Sequence, residues 1–481
     1  MKQKSTGSSV ELPIDRLSPK GNGIGQTVRS DGSERIVEVP FAIPGDTVRA
    51  TVVKKKHGKE KARLEEVLSP SAERVQPLCK HFGVCGGCRL QQMSYESQLQ
   101  YKEAFVRKLF QEIAVPGVEI KPIVPSVSPW QYRNKMEYSF SSDLNGTRYL
   151  GLVMEGSKGK VLNLTECHLV APWYTECLDT VRQWWESTDL QAYHPYKNTG
   201  TMRTLIVREG VRTGDRLVML TVSGNPDYAP KKQQLNSFVS SLRNAIELHD
   251  GKSRLSIFLR IQQIAPGMAT NFYEMLLYGP DVVREEMHIQ LYSDQPAKTL
   301  QFKISPASFF QPNPLQAEKL YSLALQTAQL KPQDVVYDLY CGTGTIGISA
   351  ASSVKEVIGI EVSPEAALDA RENAKLNGLT NVNIFAGAVH HILQQIQKDR
   401  HESTPDVVIV DPPRVGMENV GQRLIAGLNA ERVLYISCNP STMVADITVL
   451  TSLGYKLISL QPVDMFPQTM HIETIALLVR Q

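Results

Sequence analysis

A doubly wound α/β domain at the C-terminal end of a multidomain chain is what the sequence predicts, and three observations carry it. The chain has 481 residues, too many for one ordinary hydrophobic core. From about residue 301, short apolar runs alternate with helix-like stretches, the rhythm of a parallel sheet covered by helices. A glycine-rich turn, "GTGTIG" (342–347), falls between the first such run and the first such helix, where open α/β sheets bind nucleotides. Upstream the punctuation differs. Residues 1–70 read as a small β-barrel and residues 71–300 as a central α+β domain.

Composition narrows the class. The chain is 42% hydrophobic and 21% charged, as a folded globular protein is. Its formal charge of +3 leaves any nucleic-acid affinity to local patches. No apolar run approaches the ~20 residues of a membrane span, and "MKQKSTGSSV" lacks the apolar core of a signal peptide. A cytoplasmic protein with no membrane partner is expected. Seven cysteines, an odd number in a chain without a secretion signal, argue for metal or catalytic use over a disulfide framework.

In residues 1–70, valine-rich stretches such as "RIVEVPFAIPGDTVRATVV" are separated by Gly and Pro signals, as short strands of a barrel are. The stretch "RATVVKKKHGKEKAR" (49–63) carries seven Lys or Arg against one Glu. It reads equally as a solvated hairpin tip or as the phosphate-binding surface of an oligonucleotide-binding barrel.

Residues 71–300 contain strand-like runs, "TLIVREG" and "RLVMLTVSG", and one strong helical pattern, "YESQLQYKEAFVRKLFQEIA". Cys79, Cys85 and Cys88 form C-x5-C-x2-C within "CKHFGVCGGC", and Cys167 follows in "LNLTEC". Gly83, Gly86 and Gly87 allow the tight backbone that several thiolates around one centre require. Structural zinc and an iron–sulfur cluster both accept four thiolates, so spacing leaves the choice open.

From residue 301 the strands are "VVYDL", "EVIGIEV", "NVNIFAGA", "DVVIVDPPR", "RVLYISCNP" and "TIALLVR". "GTGTIG" followed nineteen residues later by Glu361 matches a dinucleotide fingerprint, which keeps a nicotinamide-dependent oxidoreductase in play. S-adenosylmethionine is the alternative. Asp338 in "DLYCGTG", "DPPR" after the fourth strand and Cys438 after the fifth favour it, because a dehydrogenase has no use for the last two. Tyr340, Glu361, Asp411 and Cys438 all fall at strand ends and so converge on one crevice.

"SFFQPN" (308–313), "DLYCGTG" (338–344), "DPPRVG" (411–416), "SCNP" (437–440) and "HIET" (471–474), in that order and with the cysteine quartet, make the chain resemble the RNA uridine-C5 methyltransferase family. The likeness is to members with an N-terminal TRAM domain and a cysteine-bound iron–sulfur cluster. It implies that Gln311, Tyr340, Glu361 and Asp411 bind S-adenosylmethionine, that Cys438 is the nucleophile, and that Glu473 is the base. It further implies that Cys79, Cys85, Cys88 and Cys167 hold a 4Fe-4S cluster, with the barrel and the central domain binding RNA. A helix at 95–114 is expected to pack on the catalytic domain, interrupting the central one. The chain departs from the family at "FAGAVHH", where Ala388 and His390 stand in place of an acidic or amide residue near the adenine.

The resemblance implies covalent catalysis: a Cys438 adduct at uracil C6 makes C5 nucleophilic, and a base then removes the C5 proton. Backbone dipoles and the cofactor's positive charge are expected to favour the Cys438 thiolate. Phe309 and Phe310 are candidates to stack on the extruded base. Cys177 and Cys341 are expected to be packing residues, and His390 and His391 surface residues. The expected partner is RNA, with 23S rRNA ahead of transfer RNA and no DNA, and the expected state is a monomer. A non-catalytic RNA-binding protein is the rival from outside enzymes.

Overall fold

The computed structural model describes residues 8–28, 32–56, 59–111, 117–246, 251–264, 270–399, 404–417 and 419–481. Its largest sheet has eight strands, in the order Val382–Ala386, Glu356–Glu361, Val335–Leu339, Val407–Val410, Arg432–Ser437, Glu473–Arg480, Tyr455–Val463 and Glu119–Ile120. The first five are parallel. Glu473–Arg480 runs antiparallel between its two neighbours. Val335–Leu339, Val407–Val410 and Arg432–Ser437 are buried along their whole length, which is why they read as unbroken apolar runs. Strand order reverses between Val335–Leu339 and Val407–Val410, opening a crevice at their carboxyl ends.

The expected boundary at 300/301 does not coincide with the change of core. The hairpin Val283–Ile289 and Lys298–Ile304 packs Met287, Ile289, Leu300, Phe302 and Ile304 against Leu320, Tyr321, Ile346 and Ile348 of the C-terminal domain. A boundary at 300/301 therefore cuts a hairpin; the change of core falls near residue 280. The helix Tyr95–Gln111 buries Val106 and Phe110, one turn apart, in the same core as Met443, Ile447 and Leu450. After it, Glu119–Ile120 extends the large sheet beside Tyr455–Val463. Residues 112–114 of the predicted helix lie outside the described residues.

The central sheet has seven strands, from Val161–Asn163 through Arg148–Val153, Lys135–Ser142, Met202–Glu209, Arg216–Ser223 and Leu255–Gln263 to Asn271–Tyr278. Helices Trp173–Glu186 and Lys232–Ile246 bury Trp184, Trp185 and Phe238 on one face. On the other, Ile206, Leu217, Met219 and Phe258 meet Val283 of the hairpin. Cys177 is wholly buried in this core, and Cys341 is largely buried in a small cluster of the C-terminal domain.

The N-terminal sheet has six strands and curls on itself. Ser9–Pro13 pairs with Thr47–Lys56 at one end, while Arg16–Leu17, its direct continuation, pairs with Gly23–Val28 at the other. At Gly25 a Cβ would lie 2.2 Å from the Pro13 carbonyl oxygen, so only glycine permits this approach. Part of the charge counted in 49–63 is answered from outside that stretch: Arg49 pairs with Glu11 and Glu66, and Arg63 with Glu65. No helix among the described residues is long and apolar enough to cross a membrane.

Candidate active site

The crevice is built from strand ends. Val335–Leu339 ends in Tyr340, a non-glycine residue at φ 64°, followed by Gly342 at 54° and Gly344 at 80°. This left-handed run turns the chain back so that Gly342 N–H donates to Glu361 Oε2 at 2.9 Å. Glu361 Oε1 accepts from Ser363 N at 2.8 Å. The carboxylate thus holds the glycine loop to the next strand, and its remaining lone pairs stay available to a ligand.

Asp338 Oδ2 accepts from Gly347 N at 2.8 Å, where a Cβ would also come within 2.8 Å of that oxygen. Its Oδ1 is buried without a protein partner. Burial pushes the Asp338 carboxyl up to about 7, with Asp411 and Glu361 adding to the shift. Asp411 is likewise pushed up to about 7 by burial. Gln311 hydrogen-bonds Tyr321, whose hydroxyl is raised by burial and by Asp411. Ala388 brings no polar side-chain group to this edge, and its carbonyl accepts from His391 and Ile392 N–H. His391 is exposed and His390 half-buried.

Register brings the two predicted catalytic residues together. Ser437 stands opposite Thr474, so Cys438, the next residue, lies beside Glu473. "SCNP" explains itself locally. Ser437 Oγ accepts from Asn439 N at 3.1 Å, Asn439 caps the helix Pro440–Ser452, and Pro440 opens it. Cys438 therefore sits at the positive end of a helix dipole. Burial, then Glu473, pushes its thiol up to about 11, while the Arg414 guanidinium opposes this by charge and a hydrogen bond. Burial and Asp411 hold the Glu473 carboxyl well above the usual range, and Arg414 again opposes.

Arg414 serves the site in a way its place in the sequence does not announce. Asn439 Nδ2 donates to the Arg414 carbonyl at 3.0 Å, tying the turn after "DPP" to the loop of Cys438. Phe309 is 63% exposed and Phe310 only 4%, packed against Phe302. The expectation that Phe310 stacks on a base is overturned, because its side chain is packed into the core of the C-terminal domain.

An uncharacterised RNA methyltransferase of Protochlamydia amoebophila is 54% identical over 442 residues, covering 92% of this chain and 99% of its own. Another, of Chlamydia trachomatis, is 35% identical, covering 84% of this chain and 98% of its own. Residues 271–481 match the family model described as tRNA (uracil-5-)-methyltransferase. The chain belongs to the RNA uridine-C5 methyltransferase family. In fold, this methyltransferase is similar to the crystal structure of Pyrococcus abyssi tRNA (uracil-54, C5)-methyltransferase with S-adenosyl-L-homocysteine. The TM-score is 0.71 at 23% identity, covering 98% of this chain and all of that one.

Away from the crevice, the methyltransferase lines one cavity of about 300 Å3 with Cys79, Cys85, Cys88 and Cys167, beside Arg133 and Gln91. All four are free thiols. Burial raises each, Cys88 to about 12 and Cys167 to about 11. Among the described residues no group of three or more His, Cys, Asp or Glu side chains is arranged to hold a single metal ion. Gly83, at φ 87°, needs its glycine, and at Gly86 a Cβ would press on the Val153 carbonyl at 3.0 Å, whereas Gly87 has room.

Several cations act on His471 and Lys135. His471, before the predicted base, is pushed down to about 4 by burial, with Arg414, Lys102 and Arg133 repelling its charged form. Lys135 is pushed down to about 8 by burial, with Arg208, Arg260 and Arg133 adding repulsion. Arg260 in turn lies 4.0 Å over the half-exposed Phe272 ring. The signal in sequence was only "YRNK" and scattered arginines.

Proposed function

We propose that this RNA methyltransferase forms 5-methyluridine in 23S rRNA through a Cys438 adduct, with Glu473 as base and S-adenosylmethionine as donor. The observation that carries the reading is the strand register that sets Cys438 against Glu473, with Arg414 touching both electrostatically.

The chemistry follows from those three residues. Cys438 Sγ, once deprotonated with help from Arg414 and the helix dipole, bonds to uracil C6 and pushes electrons to C5. S-adenosylmethionine, when bound, supplies an electrophilic methyl on a positively charged sulfur. Glu473 then takes the remaining proton from C5, the electrons of that C–H bond restore the C5–C6 double bond, and the C6–S bond breaks to return the thiolate. Burial of Glu473 raises its basicity, which suits a group that must accept a proton from carbon.

Residues at the crevice fit the donor. The unpartnered Asp338 Oδ1 and the glycine turn make a polar cradle without a protein occupant for its last acceptor, and Gln311, Tyr340, Glu361 and Asp411 would hold the nucleoside and amino-acid parts. Two carboxyls near pKa 7 facing a cationic ligand predict a pH dependence. Donor affinity is expected to rise with pH through about 7, as both become anions, and calorimetric titration across that range checks it. A flat or falling profile would remove them from the binding site.

The four cysteines, which border one cavity, would hold a 4Fe-4S cluster, as the family resemblance implies. Each of these half-buried thiols must lose its proton to become a ligand. Anaerobically purified protein is expected to carry about four irons per chain. Stoichiometric zinc instead would overturn the cluster.

The N-terminal sheet, as a TRAM domain, and the cations Arg133, Lys135 and Arg260 would hold the RNA backbone, with Phe309 and Phe272 available to bases. The choice of 23S rRNA rests on the resemblance to cluster-bearing members. The name of the family model and that of the Pyrococcus protein favour transfer RNA as a second reading. Mapping 5-methyluridine in total RNA with and without the gene decides: loss of a 23S position supports the first, loss of a transfer-RNA position the second, and no loss defeats both.

A further inference from the structure

The loop that delivers Glu473 has no regular secondary structure between Val463 and Glu473, so side chains from elsewhere must set its position. Gln468, at its centre, is buried and holds φ 67° without being glycine. Its carbonyl accepts from Arg89 N at 2.8 Å and Leu90 N at 3.0 Å, the two amides that follow Cys88. Its amide N–H donates to Gln98 Oε1 at 3.0 Å, and its side-chain Oε1 accepts from Gln98 Nε2 at 3.0 Å. Gln98 Nε2 also reaches the carbonyls of Leu90 and Met93.

One buried knot thus joins the cysteine segment, the helix Tyr95–Gln111 and the approach to the base. The cysteine side of the knot is itself anchored. Gln91 hydrogen-bonds the Cys88 thiol, and its Oε1 accepts from Cys79 N at 3.1 Å. Between Cys88 and Gln91 lie only Arg89 and Leu90, the pair that holds Gln468. Nearby, Tyr132 Oη donates to the Pro467 carbonyl at 3.0 Å, further fixing the same turn.

We propose that Gln98 and Gln468 are positioning residues for Glu473, and that the four-cysteine centre, by fixing the Cys88–Gln91 segment, governs how well the C5 proton is removed. This rests on the reading of Glu473 as base. A strained, non-glycine left-handed residue persists only where its surroundings over-determine it. Releasing the segment on either side lets Gln468 relax and draws Glu473, five residues on, away from C5. Addition of Cys438 and methyl transfer precede that step and do not need the loop in place.

The test uses the full chain with S-adenosylmethionine and its RNA. Gln98→Met keeps the volume and removes the hydrogen bonds. It is expected to lower turnover about tenfold while accumulating a denaturation-resistant protein–RNA adduct, as Glu473→Gln does. Hydrogen exchange at 464–472 is expected to quicken, and donor binding measured by calorimetry reports an intact crevice. Cys88→Ser, assayed the same way, is expected to accumulate adduct too. Should Gln98→Met lose donor binding, Gln468→Gly, which accepts the φ and drops only the side-chain link, makes the same comparison. Loss of turnover without adduct in these variants overturns the coupling and leaves the base assignment standing. Absence of adduct in Glu473→Gln as well overturns the base assignment and the proposal with it.

Discussion

Cys438→Ala is expected to form neither 5-methyluridine nor any protein–RNA adduct, whereas Glu473→Gln methylates once and stays attached. The two residues share a sheet edge and an arginine, so a general disturbance of the crevice would affect both variants alike. Only a division of labour separates them. Without a thiolate the uracil C5 carbon is too weak a nucleophile, and nothing begins. Without the carboxylate the proton on C5 stays, and the sulfur cannot leave. Turnover is expected to fall by about 10²–10⁴ in Glu473→Gln, the range a positioned general base supplies. The measured quantity is gel-stable adduct relative to turnover in the unmodified enzyme. Normal turnover in Glu473→Gln would remove it as base, and methylation by Cys438→Ala would end the covalent mechanism.

Lys102→Ala is expected to destabilise the C-terminal domain by about 3–5 kcal/mol. Lys102 Nζ donates to Asp464 Oδ1 at 2.7 Å and to the Phe466 carbonyl at 3.1 Å, and both charged side chains are fully buried. Tyr95 Oη donates to the other Asp464 oxygen at 2.9 Å. Removing the lysine leaves a buried carboxylate with its counter-charge gone, which costs more than the pair contributes. In calorimetric melting the transition of this domain is expected to drop by roughly 10 °C. An unchanged transition would mean that water reaches Asp464 and that the pair is not a fastening.

The parallel core was legible because strands buried on both faces admit little but Val, Ile and Leu, and a run such as "VVIV" or "VLYI" suits almost no exposed position. Of the candidate site residues, Tyr340, Glu361, Asp411 and Cys438 were legible by position, at the carboxyl ends of strands. What stayed hidden depends on contacts distant in sequence. Glu119–Ile120 is two residues long and becomes a strand only through Tyr455–Val463. The hairpin of Val283–Ile289 and Lys298–Ile304 alternates as any amphipathic hairpin does, and nothing local says which core it covers. Phe309 and Phe310 are alike in composition and opposite in burial. Arg414 and Gln98 are ordinary polar residues until the fold sets one beside a thiol and the other beneath a loop.

The segment 95–120 also governs how the enzyme can be divided. A fragment cut near residue 280, within the stretch 271–481 that matches the family model, would take away the strand at one border of the large sheet and the lysine under the loop before Glu473. Tyr455–Val463 would then present unpaired backbone groups, an invitation to pair with another molecule, and Asp464 would lose its counter-ion. The part with the chemistry is therefore not a module that can be excised or grafted by its contiguous sequence. Swapping target-recognition parts between relatives has to carry residues 95–120 along with the catalytic half, as though they had been written next to it.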